Sequence, residues 1–523
     1  MERESIIGGV VLYLRGCPAI RVGLCPSALR SVLRFDEEDI EFCDAYCTSP
    51  SKPTPQPHPS ITPSPTPIPP TALTVCLGQE PASLYPVNNP SSTARTILSA
   101  LYDGPIDTNA YTYQPVILET LPSLENGDAE LFQVGVYTGE EVVNTDGLPV
   151  TLEAGIRIRP AGCRSDECAI EYDGRSEVQM DQMAVTFRLI PGLTWSDGEP
   201  LTAQDSVYAY LVAHSLGGDY LVARTQSYEA ADDLTVQWWG RPGYIDPTYM
   251  TNFFFPFPYH IWSDIPYDEL ADSEAASLNP LGWGPYVIDE WHSGVSITLV
   301  KNPRYFRQAE GLPYIDSLTF RFTSSPEDAL AALLAGECDL IDSSLPLDEQ
   351  VAMLQSLQAD EQLQAYFSTS PVMEQLAFGI LTAEYDNGYN PAYDRPNYFA
   401  DARVRQAVAM CIDHQAIIDT VLYGLSSLPG SYVPGEHPLF DTSASLPSFD
   451  PAAANDLLAE AGWLDPDGDP ATPRLSSALT GLPAGTPFSV TLVTTPATQR
   501  LQVSSLLPGG QQPRHLLSRS RRR

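Results

Sequence analysis

Lysine is almost missing from this chain of 523 residues: Lys52 and Lys301 are the only two. Neither lies in a glycine-rich loop of the kind that cradles phosphate, so a P-loop nucleotidase has no residue to carry it. Enzymes that form a Schiff base on lysine are nearly excluded as well. Basic side chains as a class are scarce, 28 Lys and Arg against 66 Asp and Glu, which gives a formal charge of −38. Such a surface repels phosphate backbones and anionic membranes, and nucleic acid is not an expected partner. The nine cysteines include no C-x-x-C pair and the seven histidines show no H-E-x-x-H spacing. Zinc ribbons, thioredoxin-like motifs and catalytic metal sites therefore lack support, and no cofactor is expected. The scattered cysteines suit disulfides in an oxidising compartment. No run of about 18 apolar residues, the length needed to span a bilayer, occurs.

With 43% apolar residues, the chain has ample material for large cores, and its length exceeds what one core organises. Residues 1–48 are the least readable. The apolar run from Ile6 to Leu14 leads into Leu14-Arg15-Gly16-Cys17, whose Gly-Cys ending is that of a lipoprotein cleavage site, while Arg15, Glu2 and Glu4 are wrong for such a signal. A degraded signal and a mis-assigned start both stay open. From Pro50 to Pro70 about every second residue is proline and most others are Ser or Thr. Residues 49–72 thus read as a solvated, disordered stalk. Residues 73–500 form the folded body, and 501–523 a basic tail of aberrant composition.

The body is most explicit from Val185 to Leu211. Val185, Phe187 and Leu189 alternate with Thr186 and Arg188, which predicts a half-buried strand. Pro191-Gly192 breaks it, Trp195 follows, and Ser196-Asp197-Gly198 supplies a second turn. Thr202 stands at an N-cap position with Asp205 three residues on, and Val207, Tyr208 and Leu211 give the helix an apolar stripe. This ordered string resembles the F-x-L-R-x-G-x-x-W-S-D-G-x-P-L-T-A-x-D signature of the peptide- and nickel-type solute-binding proteins of ABC importers.

Other stretches resemble the same family in the same order. Leu73-Thr-Val-Cys-Leu-Gly predicts the opening strand, GQEPASLYP matches the E-P-x-x-L-D-P loop with Tyr85 where Asp is usual, and Ala94 to Tyr102 a helix ending at Gly104. Residues 124 to 180 read as an elaborated hairpin region holding Cys163 and Cys168 in a polar turn. A strand is expected at Leu234 to Trp239. Asn279 to Tyr286 resembles the family's G-T-G-P-Y turn, and its glycines imply a backbone bend around Trp283. A strand at Ser317 to Phe322, a helix opened by Ser325-Pro326 and closed near Gly336, and the buried strand of AGECDLI form a βαβ-like series. Asp401, Asp413 and Asp450 each cap a later helix, and Cys411 reads as an inert core thiol. Asp465, Asp467 and Asp469 lack the Gly and Glu of a calcium loop and read as a polar turn. Thr491 to Thr494 is expected as a buried strand.

The resemblance implies an α/β protein with the two-lobe, periplasmic-binding-protein type II-like fold, mixed sheets and an incomplete second lobe. It implies a monomeric extracytoplasmic receptor, tethered by an N-terminal lipid anchor or signal, that takes up an extended, peptide-like solute and hands it to ABC permease subunits. Cysteines at the positions of Cys76 and Cys338 in dipeptide-binding relatives imply a disulfide there, with Cys163 and Cys168 as a second candidate pair. The family's cleft-facing loop corresponds to Asn88, Asn89, Ser91 and Ser92, and a carboxylate-binding arginine to Arg500. The family continues beyond the position of Arg500 with further segments of the second lobe, so the chain as written reads as C-terminally truncated, and weak or absent peptide binding is expected of it. Two other classes remain: a secreted carbohydrate-active hydrolase using Asp197 and Glu199, and a surface scaffold or sensor.

Overall fold

The computed structural model describes residues 11–13, 71–367 except 88 and 89, 374–378, and 396–507 except 429, 436, 470, 471, 491, 493, 496 and 497. Residues 49–70 of the expected stalk, the Gly-Cys ending at Cys17 and most of the basic tail lie outside the described residues, while Thr71 and Ala72, expected in the stalk, already belong to the folded body because Asp316 and the first sheet bind them.

The apolar run after Thr71 forms the strand Ala72–Leu77, whose last three residues are buried. Continuous apolar character suits a strand covered on both faces. It sits in a seven-stranded mixed sheet in the order Tyr286–His292, Ser296–Lys301, Ser317–Phe322, Ala72–Leu77, Leu340–Ile341, Val11–Tyr13, Gln364–Tyr366. The three strands centred on Ala72–Leu77 run parallel, and the remaining pairings are antiparallel. Part of the N-terminal apolar run, Val11–Tyr13, is thus a strand of this sheet.

The helix Pro326–Leu334 carries the chain from Ser317–Phe322 to Leu340–Ile341 across the central strand. The Ser325 hydroxyl accepts from the Asp328 N–H at 3.1 Å, Pro326 opens the first turn, and Gly336 leaves it at φ +73°. Its buried face, Ala329, Leu330, Ala332 and Leu333, packs on Cys76 and Ile341. The expected βαβ order is present.

A second sheet is antiparallel, in the order Thr225–Ala230, Thr235–Gly240, Val178–Arg188, Ala129–Val136. Val185, Phe187 and Leu189 are buried while Arg188 is exposed, as their alternation predicts. Between its last two strands in space, residues 141–171 form two small ladders on a core of Val136, Val142, Leu152, Ile158, Tyr172 and Met180. This is the elaborated hairpin region. The two large sheets share one core that contains Val75, Ile97, Phe187, Trp195, Trp238, Trp283 and Phe320.

After the second sheet's long strand, Gly198 at φ +105° closes the turn around fully buried Trp195. The helix Ala203–Leu216 then starts at Thr202, and the Asp205 carboxylate accepts from the Thr202 N–H at 2.8 Å. One expectation fails here. Leu211 is exposed, and the buried side runs through Ala203, Ser206, Ala209 and Val212, with Tyr208 beside it. The turn before the helix fixes its rotation, so the small residues meet the sheet and the larger apolar one does not.

Residues 396–507 build a second body around Tyr398, Phe399, Val404, Ala461 and Trp463, beside the first body whose core the two large sheets share. Its helices Ala402–Met410, His414–Val421 and Pro451–Glu460 are capped by Asp401, Asp413 and Asp450, each accepting from N–H groups of its first turn. Cys411 is a half-buried free thiol, pushed up in pKa by burial. The Asp465–Asp469 stretch is a turn in which Asp465 accepts from the Gly468 N–H, and no group that could hold a metal ion occurs among the described residues. Of the strand expected at 491–494, Leu492 and Thr494 are exposed and in no strand, and residues 491 and 493 lie outside the described residues.

The first residue of the body is anchored by charge. Asp316 accepts from the Thr71 N–H at 2.7 Å and pairs with Lys301 at 2.6 Å. The Lys301 bond, then those from Thr71, hold its carboxyl down at about 2. A carboxylate lowered on folding stabilises the fold above its unfolded value and loses that contribution as pH falls through its folded one. Between roughly pH 4 and 2, the wild type should therefore lose protection of the chain near residue 71 from proteolysis. Asp316→Asn should lack this pH-dependent loss, being equally sensitive at pH 5 and pH 2.5.

Candidate functional site

Three parallel strands end on the same side of the first sheet, and at each end a small polar run follows the apolar residues. In open α/β sheets ligands bind in the crevice outside the carboxyl ends of such strands. After Leu77 comes Gly78, whose N–H donates to the Ser344 hydroxyl at 3.1 Å. After Phe322 comes Thr323, which donates to the Leu77 carbonyl from both its N–H, at 2.9 Å, and its hydroxyl, at 2.8 Å. After Ile341 comes Asp342, which accepts from the Thr96 hydroxyl at 3.1 Å and from the Ser344 N–H at 2.7 Å. Thr96 belongs to the helix Ser92–Leu101, so the N-terminal half of that helix and the strand ends form one polar edge.

The expected ligand residues fall on this edge in part. Ser91 is the helix N-cap: its hydroxyl accepts from the Ala94 N–H at 3.1 Å and pairs with the Thr93 hydroxyl at 2.9 Å. Ser92 is exposed in the first turn. Asn88 and Asn89 lie outside the described residues. Thr93, Thr96, Thr323, Asp342 and Ser344 were not expected. The signal that could have found them is the repeated pattern of an apolar run followed by small polar residues, in FRFTSS and LIDSS.

Arg500 lies in the helix Thr498–Leu506, in the second body. Its guanidinium forks onto the Glu374 carboxylate, with contacts of 2.7, 3.0 and 3.1 Å, and donates to the Thr495 hydroxyl at 2.8 Å. The Glu374 bond raises its pKa further. The structure shows a guanidinium occupied by a carboxylate, the geometry such a group offers to a ligand carboxylate. None of these contacts joins Arg500 to Ser91 or Ser92.

At the C-terminal end of the helix Ser92–Leu101 the packing is aromatic. Trp283 meets Tyr102 and Phe255 at 4.9 Å and Trp195 at 5.4 Å, and its indole N–H donates to the Asp103 carbonyl at 2.8 Å. The expected bend is present at residues 283–285, and its glycines are needed for room and not for left-handed backbone. Neither Gly282 nor Gly284 has a positive φ. A Cβ on Gly282 would stand 1.9 Å from the Leu101 carbonyl oxygen, and one on Gly284 would stand 2.6 Å from the Leu101 and Tyr102 backbone. Glycine is needed here for close approach to the end of the helix Ser92–Leu101.

Asp197, one of the two carboxylates considered for hydrolysis, is engaged elsewhere. Asp197 accepts from the Glu199 N–H at 3.1 Å and pairs with His260 at 2.9 Å. Burial acts to raise its pKa, but the His260 and Glu199 bonds outweigh it and hold the group low. An acid held ionised in this way is poorly suited to donate a proton.

Comparison with known proteins adds the following. A model of the bacterial extracellular solute-binding proteins, family 5 (middle region), matches residues 172–504. The oligopeptide-binding protein AppA of Bacillus subtilis is 29% identical over 301 residues, covering 55% of this chain and 50% of that protein. Di/tripeptide-binding protein 1 of Pseudomonas aeruginosa is 27% identical over 249 residues, covering 47% and 42%. The chain spans about half the length of the curated relatives it matches. Among solved structures, a periplasmic oligopeptide-binding protein of an ABC transporter from Thermotoga maritima matches with a TM-score of 0.50 and 18% identity, covering 84% of this chain and 69% of that one, a likeness of fold.

Proposed function

Because the chain belongs to the bacterial extracellular solute-binding proteins of family 5, with that family's type II periplasmic-binding-protein fold of mixed sheets, we propose that it is an extracytoplasmic receptor. It captures an oligopeptide-like solute between two lobes and delivers it to the permease of an ABC importer, acting as a monomer and without chemistry of its own. The observation that carries this reading is the polar edge at the carboxyl ends of the three parallel strands. There, Thr96, Thr323, Asp342 and Ser344 bring hydroxyl, carboxylate and backbone groups together beside exposed Ser92. Hydrogen-bonding groups of this kind suit the backbone of an extended peptide, which alternates donors and acceptors. Asn88 and Asn89 belong to the same proposed site through their place in the chain. The names of the two relatives, oligopeptide- and di/tripeptide-binding, favour peptide over sugar. No described helix is long and apolar enough to cross a membrane, and we place the tether at the N-terminal side of the stalk.

Arg500 is the proposed anchor for the peptide's carboxylate, which would replace Glu374 on the guanidinium. A thermal-shift series at millimolar ligand, where even weak binding registers as RT ln(1 + [L]/Kd), tests the reading. Short peptides should raise the melting temperature and manno-oligosaccharides should not. Arg500→Ala should weaken binding of peptides with a free carboxyl end at least about tenfold, or about 1.4 kcal/mol, and leave amidated peptides unaffected. A shift with oligosaccharides alone would replace the peptide reading by a sugar one, and equal loss for both peptide forms would remove Arg500 from the carboxylate site.

A further inference from the structure

The hairpin formed by Ile106–Asn109 and Thr112–Pro115 joins a fixed base to an exposed tip. Asn109 pairs with Thr112, so Ala110 and Tyr111 form a two-residue turn with φ of +47° and +65°. Both positions of such a turn need the left-handed region, for which Asn-Gly is the ordinary solution. An alanine and a bulky aromatic there are strained, and strain of this kind persists where the side chain has work to do.

The base belongs to the first body. The Val116 and Ile117 N–H groups donate to the Pro105 carbonyl at 3.0 and 3.3 Å, the Asp103 carbonyl accepts from Trp283, and the Asp103 carboxylate accepts from the Tyr305 hydroxyl. The tip meets the second body. The Tyr111 ring lies 4.7 Å from the His437 ring, edge to face at 60°. His437 is itself held: its N–H donates to the Pro434 carbonyl at 2.9 Å, its carbonyl accepts from the Phe440 N–H at 2.9 Å, and its Nδ1 accepts from the Leu439 N–H at 3.0 Å. An exposed ring of the first body thus meets a held ring of the second at the end of a strained turn.

We propose that Tyr111 and His437 form a bridging pair that sets the relation of the two bodies and so positions them for solute binding. The receptor reading supplies the binding consequence of this pair, whereas the bridge itself stands on geometry. Offset and edge-to-face ring pairs are attractive, and here the attraction acts between bodies whose closure encloses the solute. Tyr111 is a positioning residue in this account, with no contact to solute required.

The test uses the full chain and small-angle scattering without ligand. Tyr111→Asn keeps a residue that tolerates the left-handed turn and removes the ring, Tyr111→Phe keeps the ring, and His437→Ala removes its partner. Tyr111→Asn and His437→Ala should each enlarge the radius of gyration, the double variant should add nothing, and Tyr111→Phe should match the wild type. Circular dichroism should show unchanged secondary structure throughout. With any peptide that shifts the melting temperature, Tyr111→Asn should lower the affinity about threefold to tenfold, and Tyr111→Phe should not. Unchanged scattering in Tyr111→Asn and His437→Ala would overturn the bridge. Failure of every peptide to bind would bear on the solute and not on the bridge, since the scattering comparison, which decides the bridge, needs none.

Discussion

Gly282→Ala and Gly284→Ala are each expected to lower the free energy of unfolding by about 3 kcal/mol or more. The added methyl meets backbone, which cannot rotate away as a side chain would: the Leu101 carbonyl oxygen at 1.9 Å for Gly282, and the Leu101 carbonyl carbon and Tyr102 nitrogen at 2.6 Å for Gly284. That backbone is already committed. The Gly284 N–H donates to the Leu101 carbonyl at 2.8 Å, and the Tyr102 N–H to the Leu98 carbonyl at 2.9 Å. Relief would require the helix end to withdraw from Trp283, opening the aromatic cluster around it. Gly139→Ala is the control. Gly139 has φ +94° and open space around it, so its alanine variant carries only backbone strain, about 1–2 kcal/mol. Urea denaturation of the three variants decides the matter, and equal losses would show that close approach is not what Gly282 and Gly284 provide.

Removal of the Cys76–Cys338 disulfide should cost about 3–5 kcal/mol, against about 2 kcal/mol for Cys163–Cys168. The first bridge closes a sequence separation of 262 residues and the second one of 5, with Cα atoms 5.6 and 5.7 Å apart. Cross-linking restricts the unfolded chain more as the closed loop lengthens. Cys76 and Cys338 are also fully buried, and the pairing of Ile341 with Cys76 sets the lead-in to Leu340–Ile341 directly beside the central strand. Paired Cys→Ala variants at each bridge, compared by denaturant midpoint, give the measurement. A smaller loss at the long bridge than at the short one would refute this ordering. Peptide mapping without reductant should find neither Cys76 nor Cys338 alkylated.

Much of this architecture was legible before any coordinates. The caps at Thr202, Ser325, Asp401, Asp413 and Asp450 need only atoms within one helical turn, so residue type and spacing reveal them. The strands Ala72–Leu77 and Ser317–Phe322 announce themselves by apolar runs bounded by turn residues. The pairing of Cys76 with Cys338 came through family resemblance, and the structure contains it.

What stayed hidden depends on a partner distant in sequence. Leu211 looked like part of a buried stripe, but only the sheet beneath the helix decides which side is covered. Leu492 and Thr494 belong to a run with strand composition, yet both are exposed and neither is in a strand. The glycines beside Trp283 signalled a backbone requirement, yet its nature, contact with Leu101 nearly 180 residues earlier, belongs to packing. The polar edge exists because three strand ends and one helix converge, and Tyr111 gains its meaning from His437. The sequence by itself therefore determined the caps, turns and strand cores, whose energies are local. The tertiary structure alone decided which faces are buried, which backbones touch and which polar groups share one edge, because each of these is a property of two segments at once.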